Sequence, residues 1–186
     1  VDRFVTGPLP RWVRLAVGHA AIEWQAGVLR FAVEGALDRR LSDAEIGDYR
    51  DRSRPDLPWR PPLCMRVTAR FSQPADALRG TSGFGFWNNP FEPVTGDILA
   101  PPNALWFFCA SQTSDMVAAP GLPGNGFRAE MINGGRAHGW LLGLAKWILR
   151  LPGLTRLLYH ASQARVQAGA QRLDGLEITD WHEYAL

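Results

Sequence analysis

The stretch that decides the fold runs from Leu63 to Ser111 and contains three short apolar runs, LCMRVTARF (63–71), GTSGFGFWNN (80–89) and NALWFFCAS (103–111). Each run is rich in aromatic or β-branched residues and is bounded by Gly, Pro or Asn, which is typical of β-strands. The first run alternates apolar with polar or small residues, so one of its faces is apolar. The third is apolar on both faces, as in a strand covered on both sides. We therefore predict three neighbouring strands in the middle of an all-β sandwich.

The bulk composition is that of a folded globular protein. The 186 residues suit a single domain spanning 1–186, and a net charge of +2 forces no face to be basic, so nucleic acid is not expected as a partner. No segment has the pattern of a signal peptide or of a long apolar span. The sequence does not fix the cellular compartment, although the cytoplasm is favoured.

The sequence predicts neither a metal site nor a cofactor. Cys64 and Cys109 lie in predicted strands without a Cys-x-x-Cys or Cys/His cluster, and the four histidines are scattered. No phosphate loop, dinucleotide fingerprint or nucleophile elbow is present in the sequence. Both cysteines fit small buried hydrophobic residues, with a cross-strand disulfide as the alternative.

Outside the central stretch, the sequence predicts a hairpin, a surface excursion and another strand. Ala26-Gly27 suggests a tight connection between two strands, with Leu29, Phe31 and Val33 as the inward row of the second. Residues 41–62 are charged and rich in proline, and Ser42 and Glu45 have the capping-box spacing that begins a helix. Residues 127–132 are predicted to form a short strand.

A helical hairpin is predicted for residues 136–173. Trp140, Leu144, Trp147 and Leu151 recur at intervals of three and four, Pro152-Gly153 ends this helix, and a second helix follows to residue 173. We expect the apolar stripe to pack across the sandwich. Contact with a membrane surface, or with a second copy of the chain in a homo-oligomer, remains an alternative.

The last seven residues resemble a known family. Residues 180–186 (DWHEYAL) are similar to the Asp-(Phe/Trp)-His-x-Tyr segment of laminarinase-like glycoside hydrolases of the family 16 type, in the concanavalin A-like lectin/glucanase superfamily. Residues 65–71 and 80–87 resemble two further strands, with Trp87 at a tryptophan that lies in the family's sugar cleft. The resemblance covers the order of elements over about half the chain. It implies a jelly-roll of two curved antiparallel sheets, into which the helical hairpin is inserted.

The catalytic motif of that family is missing. Retaining members carry Glu-x-Asp-x-(x)-Glu on one strand face, because the two carboxyl groups must lie about 5 Å apart. The corresponding run, 103–111, has no carboxylate, and Glu130 has none two or four positions away. We therefore predict no catalytic residues and no glycosidase activity by that route, while leaving open whether the protein is an enzyme of another kind.

The predicted ligand-binding residues combine aromatic rings with polar groups. They are Trp87, Asn88, Asn89, Trp106 and Glu130. Sugars are recognised by such sets, since the apolar face of a pyranose stacks on a ring while amides bind its hydroxyl groups. The alternative for each tryptophan is a place in the core.

The main hypothesis is a noncatalytic jelly-roll domain that binds a carbohydrate-like or other small ligand on a concave aromatic face. Two alternatives are an enzyme with a pocket between the sheet and the helical hairpin, and an interaction or structural module. The final predicted strand, Trp181 to Leu186, stops where the resembling family continues. We therefore expect the chain to be truncated, or another element to complete the sheet, because an open apolar edge is rarely left exposed.

Overall fold

The computed structural model describes most of the chain, in eight segments. They are residues 2–25, 27–37, 40–48, 59–88, 103–114, 117–119, 122–134 and 167–186. The chain divides into two compact units, Val1–Pro61 and Pro62–Leu186. Each unit is built from antiparallel strands and is described by itself, and the single domain expected from the sequence stays a prediction.

The described residues of the first unit form four strands. They are β1 (Val13–Val17), β2 (Ala20–Gln25), β3 (Val28–Val33) and β4 (Asp43–Gly47). Strand β1 pairs with β4, and β2 pairs with β3 in the predicted hairpin. Gly27 has a φ of +86° at the turn, a conformation that glycine adopts without a steric penalty. On the polar face of the hairpin, Arg30 forms ion pairs with Glu23 at 2.8 Å and with Glu34 at 3.0 Å.

Two predictions in the first unit need correction. The helix predicted to begin at Ser42 and Glu45 is wrong, because this segment enters β4 and pairs with β1. The Ser42 hydroxyl instead accepts a hydrogen bond from the His19 backbone N–H at 3.1 Å. The row predicted to face inward from β3 is only half covered, since Phe31 and Val33 are each 45% exposed.

Eight strands in three sheets are formed by the part of the second unit that the structure describes. They are β5 (Arg66–Ala69), β6 (Thr81–Trp87), β7 (Asn103–Ala110), β8 (Val117–Ala119), β9 (Leu122–Pro123), β10 (Gly126–Asn133), β11 (Gln167–Arg172) and β12 (His182–Ala185). The largest sheet has the order β11-β10-β7-β6, while β12 pairs with β5 and β8 with β9.

One face of the four-stranded sheet packs against the β5–β12 ribbon; we call it the core face. It carries Phe84, Phe107, Cys109 and Phe127. The Tyr184 ring lies 5.1 Å from the ring of Phe84 and 5.0 Å from that of Phe107, in the tilted or edge-on arrangements that aromatic pairs prefer. These contacts form a sandwich-like core between two β layers.

The predicted run 65–71 behaves as its alternation suggests. Val67, Ala69 and Phe71 are half-buried, and Arg66 and Arg70 are exposed. We predicted that this strand would lie next to β6, but β5 pairs with β12 instead. The predicted strand at 127–132 is confirmed as β10, which extends one residue further at each end.

The all-β class is confirmed for the described residues, but the predicted fold with an inserted helical hairpin is wrong. Residues 167–172, expected at the end of the second helix, form β11 and pair with β10 from Arg128↔Arg172 to Asn133↔Gln167. The described strands form one four-stranded and four two-stranded sheets, and these β-rich, sandwich-like sheets are consistent with the predicted sandwich. The rest of the predicted hairpin, 136–166, lies outside the described residues. Within the described segments, no helix is long and apolar enough to cross a membrane.

The two cysteines are free thiols in different environments. Cys64 is exposed, whereas Cys109 is buried in the core. Burial raises the pKa of the Cys109 thiol despite an opposing contribution from the charge of Arg128.

We expect Ellman's reagent to titrate one thiol rapidly in the native protein and the second only on unfolding, since the reagent needs an accessible thiolate. In Cys64→Ser the fast phase should disappear. Two fast thiols, or none, would contradict this assignment.

Tyr184 carries an unfavourable feature of the core. Its side chain is 5% exposed, and its hydroxyl group is buried without a hydrogen-bond partner. We expect Tyr184→Phe to leave the free energy of unfolding unchanged or to raise it by up to about 1 kcal/mol, because an unsatisfied polar group is removed.

The same substitution should alter the dependence of stability on alkaline pH. Burial raises the pKa of Tyr184, so the folded protein keeps the phenolic proton at a pH where the unfolded chain has lost it. The contribution of the Tyr184 phenol to the free energy of unfolding is fully present below about pH 10. It falls as the pH rises towards the pKa of Tyr184 in the folded protein. Urea unfolding between pH 8 and 11 should show a shallower alkaline decline in Tyr184→Phe. An identical slope in both proteins would rule out a contribution from Tyr184.

Candidate functional site

The opposite face of the four-stranded sheet carries a mixed aromatic and charged cluster; we call it the ring face. Strand β7 places Trp106 between Gly85 of β6 and Glu130 of β10. Because side chains alternate along a strand, Phe108 points to the same face, where it lies between Gly83 and Arg128. The ring face thus groups aromatic residues from β6 and β7 with an arginine and a glutamate from β10.

Three aromatic side chains form a continuous stack along this face. The Trp106 ring lies 4.9 Å from the Trp87 ring and 4.8 Å from the Phe108 ring, with interplanar angles of 21° and 19°. Trp87 pairs with Ala104, on the other side of Trp106 from Phe108. Both faces of the Trp106 ring are therefore covered by neighbouring rings.

Glycines of β6 allow the stacked rings to lie close to the sheet. A Cβ atom added to Gly85 would come within 2.5 Å of both Cα and Cβ of Trp106. A Cβ atom on Gly83 would lie 3.2 Å from Cδ2 of Phe108. Glycines in a strand often mark a place where another group approaches the backbone closely. Here the nearest group at each glycine is a backbone carbonyl oxygen of β7, at 2.3 Å from the added Cβ atom, with the ring-bearing residue just behind it.

A buried ion pair lies beside the stack. Arg128 is 0% exposed and Glu130 is 4% exposed. Glu130 Oε2 accepts hydrogen bonds from Trp106 Nε1 at 2.8 Å and from Arg128 Nε at 3.2 Å. The Arg128 guanidinium also lies 4.9 Å from the centre of the Phe108 ring, within range of a cation–π interaction. The ion pair thus anchors the Trp106 indole and covers the Phe108 end of the stack.

Arg128 keeps one hydrogen-bond donor unpaired. Nη1 donates to the backbone carbonyl of Gly124, but Nη2 is buried and has no partner. A buried donor without an acceptor is costly, and native proteins contain few of them. This atom is the main unsatisfied feature of the ring face.

The structure brings together three of the five predicted ligand-binding residues. Trp87, Trp106 and Glu130 share the ring face, although Trp106 cannot stack on a ligand because both of its faces are covered. The side chain of Asn88 serves the backbone, since its Oδ1 accepts from the Asn103 N–H at 2.9 Å. Asn89 lies outside the described residues.

Sequence reasoning missed Arg128 and Phe108. Both positions could have been found from the two-residue period, because Arg128 is two residues before Glu130 and Phe108 two residues after Trp106. Arg128 was not predicted, because an arginine in a strand usually faces solvent.

A cleft of about 340 Å³ lies at the end of β10 and β11. Its arginine is already engaged, since Arg172 binds Asp174 at 2.7 Å and Asn125 at 3.2 Å. The described segments contain no group of three or more His, Cys, Asp or Glu side chains that could hold a metal ion. We therefore take the ring face as the candidate functional site.

Comparisons with known proteins add no assignment. No family model matches the chain, and neither does any curated protein or solved structure with which it was compared. The resemblance to laminarinase-like hydrolases therefore stays a prediction, and the site must be judged on its own geometry.

The contribution of Gly85 can be tested directly. We expect Gly85→Ala to lower the free energy of unfolding by about 2–3 kcal/mol, because the new methyl group overlaps the backbone and Cβ of Trp106. The exciton signal of the Trp87–Trp106 pair in near-UV circular dichroism should weaken as the stack shifts.

Gly169→Ala provides the matched control. Gly169 lies on β11 of the same sheet and has nothing within 4 Å of an added Cβ atom. Its replacement should be neutral or slightly stabilising, since alanine restricts the unfolded chain more than glycine does. Equal losses of stability in the two variants would contradict the close approach at Gly85.

Proposed function

We propose that the second unit binds a carbohydrate-like ligand on the ring face without hydrolysing it. The observation that carries the proposal is a row of three stacked rings beside a buried Arg128–Glu130 pair that still has an unpaired donor. Aromatic surface beside a few convergent polar groups is the usual composition of a small-ligand site. The resemblance of residues 180–186 to a segment of laminarinase-like hydrolases agrees with a carbohydrate as the ligand class.

Trp87 is the stacking residue in this proposal. Its side chain comes from β6 and is half-buried, whereas the Trp106 ring is held between two rings. The apolar face of a sugar ring packs well on such an indole, because both surfaces are flat and weakly hydrated. The position of Trp87 is fixed on the side facing Trp106 by the rest of the row, namely Trp106, Phe108 and the β6 glycines.

Glu130 acts as a hydrogen-bonding residue rather than as part of a hydrolytic pair. Among the ring-face positions of β6, β7, β10 and β11, it is the only carboxylate. Retaining and inverting hydrolysis both need two carboxyl groups, at about 5 Å and about 6.5–9.5 Å respectively. Trp106 and Arg128 already donate to Oε2 of Glu130, which fixes this carboxylate as an acceptor.

Replacement of Trp87 tests the proposal. We expect Trp87→Ala to abolish the binding found for the wild-type protein on an array of oligosaccharides, because it removes the stacking surface. The free energy of unfolding should fall by only about 1–2 kcal/mol, below the 3–5 kcal/mol typical of a fully buried aromatic residue. Bound oligosaccharides should keep their length after prolonged incubation.

Trp181→Ala is the control for this experiment. Trp181 is 50% exposed and its ring contacts Arg70, away from the ring face. This variant should bind like the wild type. The proposal fails if the wild type binds no glycan, or if Trp87→Ala binds as well as Trp181→Ala.

A further inference from the structure

We propose that the cleft at the end of β10 and β11 binds a small organic cation with an apolar body, such as an arylalkyl amine. The cleft includes none of the residues to which the proposed function assigns a role, so this inference does not rest on that function. Its volume of about 340 Å³ is at the lower end of the range of small-ligand pockets and suits a single small molecule. The lining combines apolar residues with charged ones, and both sets point to the same class of ligand.

The apolar part of the lining is held in place by the core of the second unit. Phe127 belongs to the core cluster and is 2% exposed, while Ala75, Leu173 and Leu176 pack against that cluster. The backbone N–H of Leu173 donates to the Phe127 carbonyl at 2.9 Å, and the N–H of Leu176 donates to the Leu173 carbonyl at 3.1 Å. The apolar wall is therefore formed before a ligand arrives, and binding does not have to order it.

The single cationic side chain among the described lining residues is already compensated. Arg172 Nη2 lies 2.7 Å from Asp174 Oδ1, and Arg172 Nε donates to the same oxygen at 2.8 Å. Arg172 Nη1 donates to Asn125 Oδ1 at 3.2 Å. The absence of a side chain at Gly126 leaves room for this arrangement, because an added Cβ atom would lie 2.9 Å from Arg172 Nη2. An anionic ligand would therefore meet no free positive charge here, and Asp174 would repel it.

Two carboxylates of the lining remain without a cationic partner. Asp76 is exposed, and within the described segments its side chain makes no hydrogen bond or ion pair. Glu177 accepts from the Thr179 hydroxyl group at 2.7 Å and from the Thr179 N–H at 3.3 Å, and both bonds use Oε1, which leaves Oε2 as an acceptor. These bonds, with a smaller contribution from His182, lower the pKa of Glu177, so this carboxylate is ionised at neutral pH.

The free groups of the cleft match an ammonium group on an apolar body. A primary ammonium group donates three hydrogen bonds and accepts none, which suits a set of free acceptors. Because Asp76 and Glu177 are exposed, water and salt screen their attraction for a cation, and contact with the apolar wall has to supply part of the affinity. An inorganic cation is a poorer fit, since the described segments offer no group of three or more His, Cys, Asp or Glu to hold it.

The first experiment compares three probes of similar shape and different charge on the whole 186-residue chain. They are 2-phenylethylamine, 2-phenylethanol and phenylacetate, each titrated while two-dimensional amide NMR spectra are recorded. At about 20 mM salt we expect the amine to bind about tenfold more tightly than the alcohol and the acid, and this advantage should shrink at about 200 mM salt as the charges are screened. The amide signals of Gly126, Leu173 and Leu176 should shift. Equal affinity for the amine and the alcohol, or no binding of the amine, would overturn the inference.

The second experiment removes the two free charges. Asp76→Asn eliminates one of them, and Glu177→Gln eliminates the other while keeping an oxygen that accepts from Thr179. We expect each variant to bind 2-phenylethylamine about threefold more weakly, and the double variant about tenfold more weakly, with unchanged affinity for 2-phenylethanol.

Glu183→Gln is the matched control for these variants. It makes the same change in net charge at an exposed carboxylate that lies outside the cleft and pairs with Arg66 at 2.9 Å. This variant should bind the amine like the wild type, and thermal unfolding checks the fold of every variant. An equal loss of amine affinity in Glu183→Gln, or full affinity in the folded double variant, would contradict a site in the cleft.

Discussion

The pairing of β7 with β6 on one side and β10 on the other is the constraint on which the second unit depends. Because side chains alternate, this strand sends Phe107 and Cys109 to the core face and Trp106 and Phe108 to the ring face. A slip of one residue in the pairing would exchange the two sets. The core and the candidate site therefore share one register, and neither can change its pattern independently of the other.

The two faces of the four-stranded sheet are stabilised by different kinds of interaction. The core face is held by close aromatic packing around Tyr184, which removes apolar surface from water. On the ring face, a buried ion pair lies among aromatic rings, and desolvation of its charges offsets much of their attraction. A hydrophobic pair of similar size could stabilise the fold as well, so stability alone gives no reason for a buried Arg128–Glu130 pair at this place.

The sequence contained enough information to predict the faces of the strands but not their partners. The two-residue period identified the half-buried row of Val67, Ala69 and Phe71, yet the pairing of β5 with β12 joins segments more than a hundred residues apart. Local signals were misleading in two places. Alanines favour helices, but pairing with β10 makes 167–172 a strand, and the capping-box spacing at Ser42 was overridden by pairing with β1. Within the site, aromatic residues and Glu130 were predicted. The buried Arg128 was not, because arginine side chains are usually exposed.

The close approach at Gly85 has a consequence for how this protein can diverge. The space that a side chain at position 85 would need is taken by the Leu105 carbonyl oxygen and by Cα and Cβ of Trp106, and these atoms stay in place when a smaller residue replaces the indole. Any side chain at position 85 therefore crowds β7, whereas replacement of Trp106 leaves a poorly packed site but no overlap. Among descendants of this chain, position 85 should therefore stay glycine while position 106 varies. A glycine kept at this position would identify the ring face in distant relatives even after Trp106 itself has been replaced.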